Sequence, residues 1–592
     1  MQSQECPLLF VNLLSLCLLF VYGYFFVESL PMWFHPGWTT DDALQQLFPF
    51  HQVLHPDLFQ NDLVTDVMTG YLAPLHYWIT YGTTALTGDP IMAAHWVMLF
   101  QLLLGAGFLF FAVRAKAGFA AACVAVVWLL HSREVIQRTT GGLPRGWSLV
   151  VLTSYLCFSF QRRHRLILLS LLAGCLLHPP TTLIVALAYG LWLCVGVLRK
   201  ETRSAFLRPF VWLVLLSPLY IGITYSVVKR PDSVGQMVTR TQVEEMPQFR
   251  HPDGRFPFYP LSPIAEDIRV FGFQVFITRF YKTSPSFRRT IRFGIPVLLL
   301  LLVGVGWYRK REVVPIPLLT LLLSIAIVYV LSREFIFQLY VPNRHLQFPL
   351  ALFWIPACIV GAWRVYMPEL RGIPEKAEVS FFGQNKAPSA FKRILVPFVA
   401  VLSVLGVVFL GSGDGLQGDA NFNYSTTKKG LAFEWIRENT PPGALIAGHP
   451  TFMNGVMLFG ARKGYATTET YHPFYPAYME EMERRIRVSF RAHYATSAAE
   501  FLRIVEPEGI DYFVFDRKRF YPSALAAEEY FSPLDRFVKE LVSKDPESYF
   551  YKSLPKKIDF EKAPYLVFRD DQAAVVDVHA LHTFLVQEGS EL

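Results

Sequence analysis

Apolar residues come in blocks along this chain, with polar residues confined to the gaps between them. Many blocks approach or exceed the ~20 residues that a helix needs to span a bilayer, and they recur from the N-terminus to about residue 411. The pattern predicts helices at about 8–28, 91–113, 117–132, 148–160, 166–178, 181–197, 210–227, 293–308, 315–331, 349–366 and 394–411, about eleven crossings. The first run, Pro7–Leu30, has no basic segment before it and no small-residue cleavage site, so it reads as a retained helix and not a signal peptide. Leu166–Leu198 is too long for one crossing and short for two. His178-Pro179-Pro180 at its centre cannot continue a helix, which predicts two short helices meeting at a break that lines a polar cavity. Beyond residue 411 charge density rises. Residues 412–430 read as a Gly- and Asn-rich linker, and 431–592 as a globular domain in which helical stretches alternate with short apolar strands, DYFVFD (Asp511–Asp516) and YLVFRD (Tyr565–Asp570) among them. That alternation predicts a small α/β fold with a partly parallel sheet. The expected fold class is therefore a polytopic α-helical membrane domain, 1–411, carrying a C-terminal extracytoplasmic α/β domain.

Charge decides the sides. Arg114 and Lys116 lie in one gap, Arg162, Arg163 and Arg165 in a second, Arg199, Lys200, Arg203 and Arg208 in a third, Arg309, Lys310 and Arg311 in a fourth, and Lys376, Lys386, Lys392 and Arg393 in the last. All fall on one side, cytoplasmic by the positive-inside rule, which sets the N-terminus inside and the C-terminal domain outside. No Lys or Arg precedes Arg114, so the loop of about 30–90 is acidic and external. Within it Tyr71–Leu86 is expected as an interfacial or re-entrant helix, because a crossing there would spoil the charge alternation. Residues 228–292 are basic yet external by parity, which long loops tolerate and a phosphate-bearing lipid would suit.

Composition adds little to this. The chain has 592 residues, 53% hydrophobic, 15% aromatic and 17% charged, and its net charge of +8 reflects membrane anchoring and not nucleic-acid binding. Six of the seven cysteines lie in apolar runs, and neither a disulfide framework nor metal-ligand spacing is visible.

The external gaps carry the candidate chemistry. The first opens on Thr39-Thr40-Asp41-Asp42. HSREVIQRTTGGLPRGW (131–147) brings Arg133, Glu134, Arg138 and Arg145, the helix break brings His178, and SREFIFQLYVPNRHLQFP (332–349) brings Arg333, Glu334, Arg344 and His345. Charges near membrane depth are costly unless they pair or line a wet site. Each has a structural alternative: Thr39-x-x-Asp42 as a capping box, Arg333 and Glu334 as a rim ion pair, Arg344 and His345 as snorkelling groups, Arg138 and Arg145 as loop-solvating charges, and His178 as a cap. Together they place carboxylates opposite arginines. A carboxylate takes a proton from a hydroxyl, and arginines hold a departing phosphate.

With an N-in first helix, Asp41-Asp42 opening the first large external loop, interfacial segments, many helices and an external C-terminal domain, the chain resembles the GT-C superfamily of integral membrane glycosyltransferases, with a bacterial origin implied by the α/β tail. The resemblance implies transfer of a sugar from a polyprenyl-phosphate donor, with inversion, to a glycan, lipid or protein acceptor on the outer face of the plasma membrane. It implies Asp41 or Asp42 as base, metal ligand or acceptor ligand, Asp41 slightly favoured, and Arg344 with His345, Arg138, Arg145 and His178 around the donor phosphate. A divalent metal through the aspartates is the one cofactor it leaves room for. No WWD-like signature follows residue 412, which disfavours transfer of a whole glycan to asparagine. In the outer domain, Gly448-His449-Pro450 is a candidate ligand loop, and Arg462, Lys463, Tyr465, Tyr471 and His472 are candidate acceptor contacts. A multi-pass transporter and a noncatalytic envelope scaffold are the rival classes.

Overall fold

In the computed structural model the described residues are 2–199, 203–229, 234–276, 294, 297, 301, 313–366, 422–542 and 545–589. The apolar blocks fold as helices. They are α1 (Gln2–Trp33), α2 (Asp41–Gln46), α3 (Leu63–Gly70), α4 (Pro74–Thr87), α5 (Pro90–Ala117), α6 (Phe119–His131), α7 (Arg133–Thr139), α8 (Trp147–Phe160), α9 (His164–Leu177), α10 (Pro179–Leu198), α11 (Arg203–Val228), α12 (Arg240–Glu245), α13 (Ile264–Phe271), α14 (Ile316–Glu334) and α15 (Pro342–Tyr366). Six of them, α1, α5, α10, α11, α14 and α15, are long and apolar enough to cross a membrane, and the bent pair α6–α7 makes a seventh if it is one span. The chain is a multi-pass membrane protein. Nine of the eleven expected stretches coincide with helices. The other two, 293–308 and 394–411, fall largely or wholly outside the described residues, as do Lys376, Lys386, Lys392 and Arg393.

Leu166–Leu198 divides at His178, whose backbone (φ −157, ψ 82) caps α9 and starts α10. The two helices pack closely beside the break: a Cβ on Gly174 would meet the Thr182 hydroxyl at 2.4 Å. The Tyr71–Leu86 stretch forms α4, 14 residues long and opened by Pro74.

The segment that follows α1 and the C-terminal domain share one core. Ala43, Leu44, Leu47, Phe48 and Phe50 pack in the same buried cluster as Phe433, Ile446, Met453, Val456 and Phe459. Polar links accompany this packing. Strand β1 (Trp38–Thr39) pairs antiparallel with β2 (Tyr424–Ser425), with Thr39 opposite Tyr424. The Asp41 amide donates to Asn423 Oδ1 at 3.0 Å, and His51 Nε2 donates to the Leu458 carbonyl at 2.7 Å. The described part of the expected linker, 422–430, is thus held against the acidic loop.

Outside the membrane helices, a five-stranded sheet has the order β4 (Lys463–Gly464), β3 (Leu445–Gly448), β5 (Tyr512–Asp516), β7 (Ala573–Asp577), β6 (Leu566–Arg569). The first three are parallel, and β7 runs antiparallel to both of its neighbours, β5 and β6. Central β5 buries Phe513, Val514 and Phe515, so both of its faces are covered. The helices include α16 (Ala432–Asn439), α17 (Pro476–His493), α18 (Ala498–Val505) and α19 (Val578–Gln587). The partly parallel α/β fold matches the pattern of the sequence.

Three details differ from expectation. The N-cap of α2 is Thr40, whose side chain accepts from the Ala43 amide, so Asp41 and Asp42 form the first turn and Thr39 belongs to β1. Arg333 and Glu334 do not pair with each other, because α14 points them apart. Arg333 meets Asp267 of α13 at 2.9 Å, and Glu334 meets Arg240 of α12. The C-terminal-domain groups Arg462, Tyr465 and Tyr471 serve local structure: Arg462 donates to the Arg437, Thr440 and Ala461 carbonyls, and the two tyrosines to Glu508 and Glu483.

Candidate active site

Sharp turns bring the polar groups together. After Ser132 the chain bends by 67° between α6 and α7, which turns α7 across the end of the bundle and leaves Arg138 7% exposed. Gly141 and Gly142 follow at φ +87 and +60, values open to glycine without strain. Gly142 lies flat on α5, where any Cβ would stand 2.0 Å from the Ala94 carbonyl oxygen. This tight turn aims Arg145 back at the acidic loop, and its Nη1 donates to Asp42 Oδ2.

The α14–α15 connector closes the other side. Phe337 and Tyr340 both adopt positive φ, +60 and +71, conformations that L-residues hold only when their surroundings impose them. His345 Nε2 donates to the Leu339 carbonyl at 2.6 Å, and the Tyr340 hydroxyl hydrogen-bonds with Arg138. From the helix break comes His178, whose Nδ1 meets Thr181 Oγ1 at 2.8 Å. The ring of Tyr340 stands edge-on to both imidazoles, at 6.0 and 6.1 Å. Arg138, His178, Tyr340, Arg344 and His345 line one small, partly open cleft. Arg344 is exposed and donates to Gln347 at 3.2 Å.

The charges are unbalanced. Arg138, Arg145 and Arg344 all act on Asp42: burial pushes its carboxyl up, and the three guanidiniums outweigh burial and hold it below the usual carboxylate range. Tyr340 follows the same logic. Burial raises the phenol, Arg138 and Arg344 lower it, and it lies below its ordinary 10. The site is a cationic cleft with hydrogen-bond donors at its walls and a carboxylate pair at its rim, suited to an anionic oxygen cluster such as a phosphate.

Asp42, Arg145, Arg138, Arg344, His345 and His178 therefore converge. Asp41 sits beside them on α2 and makes no ion pair among the described residues; its Oδ1 accepts from the Asp42 amide. Two groups that sequence reasoning missed also belong here. Tyr340 was masked by the charged residues around it. Glu469 of the C-terminal domain, in GYATTETYH, is a lone acid in an irregular segment, and no local pattern marks it. Burial raises the Glu469 carboxyl, Arg255 pulls it back, and Asp41 and Asp42 add to the rise.

A resident dication does not fit this donor set. Asp42 is taken up by Arg145, two more arginines act on it, and no three His, Cys, Asp or Glu side chains come together as ligands among the described residues.

No family model matches the chain, and no curated protein matches it. Solved structures resemble it weakly. The oligosaccharyltransferase of Archaeoglobus fulgidus in the apo form aligns with 86% of this chain and 70% of its own at 11% identity and a TM-score of 0.47. The archaeal oligosaccharyltransferase AglB of the same organism, in complex with an inhibitory peptide and a dolichol-phosphate, aligns over the same shares at 11% identity and a TM-score of 0.42. ArnT from Cupriavidus metallidurans bound to undecaprenyl phosphate aligns with 94% of this chain and 97% of its own at 13% identity and a TM-score of 0.44. Likenesses at this level assign neither family nor chemistry.

Proposed function

We propose that the chain is an inverting membrane glycosyltransferase that moves a sugar from a polyprenyl-phosphate donor to an acceptor hydroxyl. The single observation that carries this reading is the cleft of Arg138, Arg344, His178, His345 and Tyr340 set against the Asp41–Asp42 turn at the end of an apolar helix bundle. A lipid phosphate reaches such a cleft with its chain still in the bilayer. Arg138 and Arg344 then balance the phosphate's charge, and the Tyr340 hydroxyl adds a directed hydrogen bond.

In the reaction the acceptor oxygen attacks the anomeric carbon on the face opposite the phosphate. The carbon–oxygen bond to phosphate breaks with its electron pair leaving on the phosphate, and a carboxylate accepts the acceptor's proton. Asp42 is held by Arg145 and its field, which weakens it as a base. Asp41, beside it and without an ion pair among the described residues, is the better candidate. Asp42 then positions Arg145 and the turn. On the charge pattern we place this face outside the plasma membrane, with the N-terminus in the cytoplasm.

The test uses the full-length protein in lipid nanodiscs with a panel of synthetic polyprenyl-phosphate monosaccharides, and reads release of polyprenyl phosphate and formation of a glycosyl product. Asp41→Asn lowers turnover by roughly 10²- to 10⁴-fold with the melting temperature unchanged. Donor movement across proteoliposomes with no glycosyl product would instead make the protein a transporter. Labelling of a cysteine at Arg344 from the cytoplasm alone would separate the cleft from the outer face.

A further inference from the structure

Phe337 and Tyr340, in the connector between α14 and α15, share an unusual backbone. Both have positive φ, a region that costs L-residues energy and that Asn or Asp can ease with a local side-chain hydrogen bond. Phe337 has no polar group with which to do this. The Tyr340 amide donates to the Phe337 carbonyl at 3.0 Å, and the Leu339 amide to the Phe335 carbonyl at 3.1 Å. These short bonds tie the two residues into one turn, in which the direction of Tyr340 depends on where Phe337 is seated.

The seat is aromatic and comes from two other parts of the chain. Phe337 is buried. Its ring stands edge-on to Phe474 at 4.8 Å, and lies 5.0 Å from Phe249 and 5.7 Å from Phe258. Such ring pairs contribute beyond the area they bury. Phe249 and Phe258 belong to the segment that follows α12, and Phe474 to the C-terminal domain. The two are fixed to each other: the Val238 amide donates to the Phe474 carbonyl at 3.0 Å, the Ser532 amide to the Asp253 carbonyl at 2.8 Å, and Gln248 Nε2 to Glu483 at 2.7 Å. The Arg240–Glu334 ion pair fixes the segment to α14. At the other end of the turn, the Tyr340 ring lines the cleft, 6.0 Å from His178 and 6.1 Å from His345.

We propose that Phe474, with Phe249 and Phe258, is a positioning residue: the ring clasp holds the Phe337–Tyr340 turn, and the docked C-terminal domain thereby keeps the Tyr340 hydroxyl in the cleft. The proposal rests on the reading of that cleft as the site of the donor phosphate. None of the three rings touches the phosphate; all act through Tyr340. Without the Phe474 ring, Phe337 loses its edge-on neighbour and its backbone relaxes toward negative φ. The turn then swings Tyr340 off the cleft wall, and the phosphate loses a directed hydrogen bond whose geometry was set in advance. The C-terminal domain thus contributes to donor binding without placing a side chain of its own in the cleft.

The experiment titrates a synthetic polyprenyl phosphate into the full-length protein in nanodiscs and reads the bound lipid by native mass spectrometry. Melting temperature and donor cleavage are measured separately. Tyr340→Phe, which removes the hydroxyl alone, is expected to raise Kd by roughly tenfold. Phe474→Ala is expected to raise it at least as much, and Phe474→Leu, which refills most of the lost volume, to stay within about threefold of wild type. The double variant Phe474→Ala, Tyr340→Phe is expected within about threefold of the weaker-binding single variant, because two changes that remove one interaction do not add. Phe258→Ala, at a half-buried ring of the cluster, gives a smaller shift of the same kind and takes the place of Phe474→Ala should that variant melt early. Early melting with Kd unchanged assigns the cluster to stability alone and overturns the proposal. A double variant whose loss is the product of the two single losses overturns it, as does an unchanged Kd in Tyr340→Phe. Wild type that binds polyprenyl phosphate but cleaves no donor refutes the transferase reading, and the Kd values then decide the clasp by themselves. Wild type that binds none refutes the phosphate cleft, and this inference with it.

Discussion

Replacing Gly142 with alanine tests whether the arginines act through their placement. Gly142 stands at φ +60, and a Cβ there would lie 2.0 Å from the Ala94 carbonyl oxygen, where real contacts do not fall below 3.0 Å. The turn must therefore lift from α5 by roughly 1 Å, and the left-handed backbone adds about 1 kcal/mol of strain for any L-residue. The lift acts on a connector that carries Arg138 four residues before and Arg145 three residues after. A displacement of about 1 Å in groups that position a reacting centre costs about 100-fold in rate, or about 2.7 kcal/mol of barrier. The expected result is a kcat/KM lower by about two decades, read as polyprenyl phosphate released by the protein in nanodiscs. Gly88→Ala is the control. It has φ +71, but nothing lies within 4 Å of its Cβ, so it carries the backbone strain alone and keeps kcat/KM within about threefold. A Gly142→Ala protein as active as the Gly88→Ala protein, at equal melting temperature, would refute the reasoning.

Three further outcomes are expected. Arg344→Gln removes an exposed guanidinium from the cleft, a charge-assisted contact of about 1.5–3 kcal/mol; donor KM should rise by roughly 10- to 100-fold with the melting temperature unchanged, and an unaltered KM would take Arg344 out of the donor site. Arg333→Met strands Asp267, which is buried and otherwise bonded by Tyr329 and Ser262; loss of about 3 kcal/mol of stability should appear as early melting while kcat of the surviving protein is kept, and a loss of kcat without early melting would contradict this structural role. Acid should destabilise the C-terminal domain. His493 is fully buried among Phe515, Phe520 and Tyr494, and burial first, then His449 and Arg519, holds its pKa well below 6.5. The fold keeps the ring neutral while the unfolded chain takes up a proton, so this contribution is complete above pH 6.5 and falls by about 1.4 kcal/mol per pH unit below it, down to the folded pKa. Melting at pH 7.5 and 5.5 should show the drop, and His493→Phe should flatten it; an identical pH slope in the variant would exclude His493 as the source.

Much of this organisation could be read from the residues in order, because it depends on local or one-dimensional properties. The helix break at His178-Pro179-Pro180 is visible because proline lacks an amide hydrogen and its ring excludes the preceding turn. The strand Tyr512–Asp516 is visible because an apolar run flanked by charges is short and β-branched or aromatic. The Asp41-Asp42 pair was legible as the start of a helix, and Thr40 took the cap one residue later than expected because Thr39 is used by the β1–β2 ladder. Partners were less legible. Arg333 and Glu334 are adjacent in sequence, yet adjacent residues on a helix diverge by about 100°, and each found its counter-ion on a different helix, α13 and α12 respectively.

The sequence by itself determined that this is a membrane bundle with an α/β domain after it, that carboxylates and arginines lie in gaps of the same parity, and that one long apolar stretch must divide. Tertiary structure alone decided which of those charges meet. It gave Asp42 to Arg145 and left Asp41 without an ion pair among the described residues, placed Tyr340 in a conformation no local preference favours, and brought Glu469 within reach of a residue more than four hundred positions away. Hydropathy and charge are summed along a chain, and a bilayer reads that sum directly. An ion pair or a subsite depends on distances of a few ångströms between segments that only packing fixes, and no pattern along the chain encodes them.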